Sequence, residues 1–338
     1  MGTDLIYNTD ALSGLRMLDD NSVDCIVTSP PYWQLRNYGL APMMLGGDRE
    51  CAHALDEYHV CRKCGGWLGE LGQEPTREMF IAHLIEIFDE CRRVLKTTGT
   101  LWVNLGDSYC KMNKYNRAHG DWENGKNTFC LKEPKVDISA LRVPHKSLCN
   151  IPGRFADEMI LRGWIMRNEI IWYKPSVIPS PAADRFTVDF EKVFFFTKST
   201  KYDFRQQFEP YAESTIPRYK SGHKNEGKSA VYRKQCGAPI GKLEINPNGR
   251  NKRTVWRVAT ENNREQHYAT YPTKLIQTPI EAGCPVGGVV LDPFAGSGTT
   301  GIVARRLGRH YILIEPSADY MEIIRRRVEK EENPQLSK

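Results

Sequence analysis

The stretch Val289-Val-Leu-Asp-Pro-Phe-Ala-Gly-Ser-Gly-Thr-Thr-Gly301 decides the architecture. Its β-branched start predicts a strand at Val289–Leu291. Pro293 and a Gly-x-Gly-x-x-Gly at Gly296, Gly298 and Gly301 then break the chain into a turn, and a helical pattern covers 299–307. The next strand, Tyr311–Ile314, runs into Glu315, 19 residues after Gly296. A strand, a glycine turn, a helix and an acid at the end of the following strand suit a nucleoside ligand. The glycines let it approach the backbone, and the acid accepts hydrogen bonds from ribose hydroxyls. Asp292 narrows the choice. Its charge would repel a pyrophosphate and attract an α-amino group, so a methionine-linked adenosine suits the loop better than a dinucleotide. The 23 residues after Glu315 are also fewer than a dehydrogenase needs for further strands. An NAD-binding oxidoreductase is the weaker alternative.

Working outward, strand and helix patterns alternate. Val23–Thr28 is a short apolar strand stopped by Pro30 and Pro31. Residues 77–96 predict the best helix, with Phe80, Leu84, Ile87, Cys91 and Val94 at three- and four-residue spacing, Thr76 as N-cap and Gly99 beyond the end. Thr100–Leu105 reads as the next strand and 154–162 as a short helix. Glu169–Tyr173 and Lys192–Thr197 lack a helix between them and pair as a hairpin, while helices follow near 273–283 and from Ser317. Apolar strands separated by helices predict an α/β fold with a mainly parallel sheet covered on both faces.

The chain has 338 residues, 40% hydrophobic and 26% charged, with a net charge of +6. These are globular values. No apolar run reaches the roughly 18–20 residues of a membrane span, and the start Met1-Gly-Thr-Asp-Leu-Ile-Tyr has no secretory character, so we expect a cytoplasmic chain with reduced cysteines. The charge is uneven: residues 111–150 carry eight Lys/Arg and four Asp/Glu, residues 203–252 carry ten and five, and the rest is slightly acidic. Tyr115, Trp122 and Phe129 interleave the first basic segment, and Phe204, Phe208, Tyr211, Tyr219 and Tyr232 the second. That mixture suits phosphate contact with base stacking, or simply two solvated loops.

Asp292-Pro-Phe-Ala-Gly-Ser-Gly-Thr-Thr300, together with Thr28-Ser-Pro-Pro-Tyr-Trp33, resembles the S-adenosylmethionine-dependent amino-methyltransferases of DNA. The order, catalytic tetrapeptide first and cofactor loop last, is similar to their circularly permuted beta class. Asn8-Thr-Asp-Ala-Leu12, Gly99-Thr-Leu-Trp-Val-Asn-Leu-Gly-Asp-Ser-Tyr109, Ile170-Ile-Trp-Tyr-Lys-Pro175 and Tyr271-Pro-Thr-Lys-Leu275 fall in the family's order as well. The resemblance implies a Rossmann-like methyltransferase sheet, mainly parallel with one antiparallel strand. It also implies that Asp10, Thr273, Lys274, Asp292, Phe294, Ala295, Gly296, Ser297, Gly298, Thr299 and Glu315 surround the cofactor.

The implied catalytic residues are Ser29, Pro30, Pro31 and Tyr32. The lone pair of an exocyclic amine is delocalised into its base, so a catalyst must hold the nitrogen with acceptors that favour pyramidal geometry. Ser29 Oγ and the Pro30 carbonyl, stiffened by Pro31, can accept the two amino hydrogens, and the Tyr32 ring can stack on a base turned out of the duplex. No Pro-Cys dipeptide occurs, which disfavours thiolate chemistry at cytosine C5. Serine in the first position favours cytosine N4 by resemblance, with adenine N6 as the alternative. A DNA-binding protein with a dead centre is a further reading.

Cys51-Ala-His53 and Cys61-Arg-Lys-Cys64-Gly-Gly have the spacing of one tetrahedral zinc, with His59 as a competing ligand. The segment is too short to bury a core, so metal would supply its folding energy. We therefore expect a catalytic domain in four pieces, 1–39, 73–110, 151–202 and 253–330. The insertions are a zinc-binding one at 40–72, a basic DNA-contacting loop at 111–150 and a target-recognition region at 203–252, with a flexible tail at 331–338. The expected partner is double-stranded DNA; whether a cognate restriction endonuclease accompanies it stays open. Monomer and homodimer both stay open.

Overall fold

In the computed structural model, residues 4–110, 143–220, 246–261 and 271–332 are described. In chain order the elements are β1 (Leu5–Tyr7), α1 (Ala11–Arg16), β2 (Val23–Thr28), β3 (Met43–Leu45), β4 (Trp67–Gly69), α2 (Arg77–Val94), β5 (Leu95–Leu105), α3 (Ile151–Leu161), β6 (Ile165–Tyr173), β7 (Phe190–Thr197), β8 (Phe208–Glu209), α4 (Thr215–Lys220), β9 (Arg250–Asn251), β10 (Val255–Arg257), α5 (Thr273–Gly283), β11 (Val289–Asp292), α6 (Thr299–Arg306), β12 (His310–Ile314) and α7 (Ala318–Glu332). Eight strands form one sheet in the order β1-β12-β11-β2-β5-β7-β6-β10. Every pairing is parallel except those of β7, which runs against both β5 and β6. The expected single antiparallel strand is therefore β7, and its hairpin with β6 is the one read from the sequence.

The two-residue period of the strands builds two cores. Ile26, Leu101, Val103, Phe194 and Phe196 pack with Leu84 and Phe88 of α2 and Phe155 of α3. Their neighbours Cys25, Val27, Trp102, Val193 and Phe195 point the other way, onto Leu275 and Ile280 of α5, Val303 of α6 and Ile324 of α7. Burial on both faces is why the strands read as continuous apolar runs.

Helix α2 starts where expected, with Thr76 Oγ1 accepting from Met79 N, but stops at Val94. Leu95 is already extended and opens β5, so Gly99 lies inside a strand and not after a helix. A Cβ there would come within 2.6 Å of Leu95 Cδ1, at the point where the β2–β5 register shifts. Strands β1 and β10 went unread because three residues carry too little periodicity. Helix α7 continues to Glu332, two residues into the stretch expected as a tail.

Residues Met1–Phe204 with Val255–Lys338 form one compact unit and Arg205–Thr254 another. In the second, β8 and β9 pair antiparallel, and Glu209 Oε1 accepts from Arg250 Nε at 2.9 Å and Arg253 Nε at 2.6 Å. Tyr115, Trp122, Phe129 and Tyr232, and with them most of the basic loop and half of the expected recognition region, lie outside the described residues. Among the described residues no helix is long and apolar enough to cross a membrane.

Candidate active site

Four neighbouring parallel strands deliver the expected residues to one edge of the sheet. Asp10 follows β1, Glu315 follows β12, Asp292 ends β11 and Ser29 follows β2. The carboxyl edge of such a sheet is where α/β enzymes bind ligands.

Asp292 is fully buried. Its Oδ1 accepts from Thr28 Oγ1 at 2.6 Å and from the Phe294 amide at 3.1 Å; its Oδ2 accepts from Tyr271 Oη at 2.8 Å and Thr300 Oγ1 at 2.5 Å. Burial raises its pKa above the usual carboxylate range, and these donors pull it back. A carboxylate offers about four acceptor sites, and all of them are taken within the protein. The expected pairing of Asp292 with a ligand's amino group does not match this geometry. The residue ties the cofactor loop to the end of β2 one residue before Ser29.

The glycine loop is open above Gly296, where φ is 51° and an added Cβ would meet nothing within 4 Å. Gly298, at φ 78°, caps α6. Glu315 lies beside the loop: its Oε2 accepts from Gly296 N at 2.8 Å and its Oε1 from Ser317 N at 2.9 Å. Burial outweighs these donors and pushes the carboxyl up to about 7. Ser297 and Thr299 are buried, and Arg327 Nη1 of α7 donates to the Ser297 carbonyl and Oγ, both at 2.7 Å, and to Thr299 Oγ1 at 3.1 Å. Their side chains therefore brace the loop, and its free surface is backbone. Ala295 is buried, and Phe294 packs partly against the core. Asp10 is the N-cap of α1 and accepts from Ser13 N at 2.9 Å. Thr273 opens α5 with its Oγ1 donating to Glu261 at 2.7 Å, and Lys274 is exposed beside it.

The Ser-Pro-Pro-Tyr segment is the direct continuation of β2. Ser29 Oγ stands 3.5 Å from Tyr32 Oη. Tyr32 Oη donates to Glu191 Oε2 of β7 at 2.6 Å and lies 3.3 Å from Asn104 Oδ1 of β5. Asn104 Nδ2 donates to the same Glu191 oxygen at 3.0 Å, while Lys174 Nζ pairs with Glu191 Oε1 and sits 4.4 Å from the centre of the Trp172 ring. Burial and the facing Glu191 charge push the Tyr32 hydroxyl well above its ordinary pKa, so it stays a donor. The Tyr32 ring lies against Gly106, where a Cβ would come within 2.4 Å.

Glu191, Asn104, Thr28, Tyr271 and Arg327 escaped the sequence reading. Thr28, Asn104, Lys174 and Tyr271 stood inside segments already quoted for the resemblance, which was the available signal; Glu191 and Arg327 stood in none.

Cys51, His53, Cys61 and Cys64 bring their ligand atoms within 4.8 Å of one another, and His59 is not part of the group. Cys51 Sγ is 3.9 Å from Cys61 Sγ, and Cys64 Sγ is 3.5 Å from His53 Nδ1.

This layout sets a glycine loop and an acid at the ends of β11 and β12 beside the tetrapeptide that continues β2, at the edge of the sheet where α/β enzymes bind ligands. Residues 23–326 match the family of DNA methylases acting on N6 or N4 amino groups. The chain is 35% identical to the type II methyltransferase M.Cfr9I of Citrobacter freundii over 97% of its length and 88% of that protein's. It is 33% identical to M.XycI of Xanthomonas campestris pv. cyanopsidis over 94% and 85%. Among solved structures, the PvuII cytosine-N4-specific DNA methyltransferase superposes with a TM-score of 0.56 at 18% identity, covering 97% of this chain and 86% of that one. A Thermus thermophilus protein solved with S-adenosyl-L-methionine gives 0.52 at 19% over 96% and 95%. The chain belongs to the N6/N4 DNA methylase family and is a DNA methyltransferase.

Proposed function

We propose that this DNA methyltransferase acts on the exocyclic N4 of cytosine in double-stranded DNA, in the cytoplasm, as the modifying half of a restriction-modification pair. Its cofactor in this reading is S-adenosylmethionine, which supplies an electrophilic methyl group. The observation that carries the reading is the Thr28–Asp292 hydrogen bond, which fixes Ser29 relative to the cofactor loop. The residues fit the cofactor. The open space above Gly296 admits a ligand against backbone, and the Glu315 carboxylate beside it can accept from ribose hydroxyls.

Ser29 Oγ and the Pro30 carbonyl take the two amino hydrogens and favour the pyramidal nitrogen, so positioning supplies much of the acceleration. Tyr32 offers its ring to the flipped base. One amino proton must leave as the new N–C bond forms. The chain Ser29 Oγ, Tyr32 Oη, Glu191 Oε2 leads it away from the nitrogen, with Glu191 as the terminal acceptor. Serine in the first position of the tetrapeptide supports N4 over N6, as does the likeness to an enzyme whose name carries cytosine-N4 specificity. The 203–252 region and the basic 111–150 segment grip phosphates and read the target sequence. We also infer that Cys51, His53, Cys61 and Cys64 hold one structural zinc.

Mass spectrometry of nucleosides from DNA treated with the purified protein tests the reading. N4-methylcytosine is the expected product. N6-methyladenine alone would reassign the base, and no methylated base on any duplex would leave the chain a binding protein.

A further inference from the structure

A tetrahedral zinc with Zn–S near 2.3 Å sets its sulfurs about 3.8 Å apart and a sulfur about 3.6 Å from an imidazole nitrogen. The 3.9 Å between Cys51 and Cys61 Sγ and the 3.5 Å between Cys64 Sγ and His53 Nδ1 fit those spacings, and a disulfide would need about 2 Å. The surrounding backbone is shaped for the cluster. Ala54 N donates to Cys61 Sγ at 3.4 Å, and Gly47, at φ 72°, leaves no room for a Cβ, which would sit 2.8 Å from Cys64 Sγ and 2.7 Å from Gly66. Between Leu45 and Trp67 only Cys61 among the apolar side chains is buried, so the segment has no core of its own.

After β4 the chain returns to the segment that follows Tyr32. Below the cluster β3 and β4 pair antiparallel from Met43↔Gly69 to Leu45↔Trp67. Immediately after β4, residues 70–74 grip the eight residues that follow Tyr32. Glu70 accepts from Tyr38 N at 2.7 Å and from Leu40 N at 3.0 Å. The Gly72 carbonyl accepts from Gln34 N at 2.7 Å, and the Glu74 carbonyl accepts from Trp33 Nε1 at 2.9 Å. Gly72 also lies against the tetrapeptide, its added Cβ falling 3.1 Å from Pro31 Cβ. This strap is anchored to the catalytic domain: Glu74 is fully buried and its Oε1 is 3.0 Å from His83 Nδ1 of α2, whose ring stacks on Trp67. The cofactor loop hangs from β11 and β12 instead.

We infer that the metal-closed loop is a clamp for the catalytic segment, holding Ser29–Tyr32 through the 70–74 strap, so that its metal supports turnover and not cofactor binding. The inference rests on the zinc reading above. Catalytic geometry is steep enough that a shift of about 1 Å costs roughly a hundredfold in rate, so a frayed strap should be visible in turnover alone.

The test uses the full chain purified without chelator. Metal analysis should find about one zinc per chain. Stripping it with a competitive chelator should slow DNA methylation at least about tenfold, leave S-adenosylmethionine affinity within about twofold in calorimetry, and be reversed by added Zn2+. A metal-free, folded preparation would overturn the zinc reading itself. One zinc whose removal leaves turnover unchanged would overturn the clamp while the zinc stands, and so would a parallel loss of cofactor affinity. Should the stripped protein aggregate, Glu70→Ala decides, since it leaves all four ligands in place. It should keep its zinc and its cofactor affinity and lose turnover about tenfold; undiminished turnover would refute the clamp.

Discussion

Tyr32 Oη donates a 2.6 Å hydrogen bond to Glu191 Oε2, joining the end of β2 to the start of β7 across 159 residues of sequence. Glu191 is itself held by Asn104 Nδ2 and Lys174 Nζ, so the aromatic ring proposed to meet the base is aimed by a three-residue brace. Glu191→Gln keeps the shape but removes the negative charge proposed as the end of the proton path. It should lower kcat by about tenfold to a hundredfold with little change in S-adenosylmethionine affinity. The pH–rate profile separates the roles, because a merely structural Glu191 would leave its shape as in the wild type. Ser29→Ala should likewise reduce turnover far more than cofactor affinity, and equal loss of both would mark Ser29 as structural.

Asp292 carries a different expectation from the one its sequence position suggests. With four donors converging on one buried carboxylate, Asp292→Ala strips the acceptor from the Thr28 hydroxyl and the Phe294 amide and leaves the Tyr271 and Thr300 hydroxyls only each other and the Val27 carbonyl. We expect a loss of about 3 kcal/mol or more in folding stability, and a smaller loss of about 1 kcal/mol for the isosteric Asp292→Asn, whose oxygen still accepts. Urea denaturation measures both. An unchanged midpoint in Asp292→Ala together with collapsed cofactor binding would return the residue to the ligand.

Arg327 braces the glycine loop from α7 through Ser297 and Thr299. Arg327→Met keeps much of the apolar stem and removes all three bonds. Cofactor affinity should fall by about tenfold, with methylation at saturating cofactor falling much less. A loss confined to kcat would place Arg327 with the catalytic segment instead.

The glycine loop and Ser-Pro-Pro-Tyr were legible because each is one contiguous run whose backbone demands are local: prolines stop β2, and glycines supply the turn before α6. The strand alternation was legible for the same reason. The partners of these motifs were not. Thr28 and Asp292 stand 264 residues apart and Tyr32 and Glu191 159, and what joins them is strand order, β11 beside β2 and β7 beside β5. No periodicity encodes that order. Asp292 shows the cost: its charge was legible, but a ligand's ammonium and a ring of protein hydroxyls are interchangeable partners until the fold places Thr28, Tyr271 and Thr300 around it.

If Glu315 accepts from the ribose as proposed, S-adenosylmethionine binding should weaken as pH falls. Its carboxyl is pushed up to about 7 by burial, so near neutrality the free protein holds a mixture of acid and carboxylate. An acid whose folded pKa lies above its unfolded one weakens the fold as pH rises from the usual carboxylate range to about 7, because the unfolded chain gives up the proton first. Ribose hydroxyls donate best to the ionised form, so binding must expel that proton below about pH 7. The Kd for S-adenosylmethionine should therefore rise about tenfold between pH 8 and pH 6, with proton release detectable by calorimetry in buffers of different ionisation enthalpy. Glu315→Gln should bind more weakly at pH 8 and show no such slope. If the glutamine variant keeps the wild-type pH dependence, the titrating group lies elsewhere and Glu315 is not the ribose acceptor.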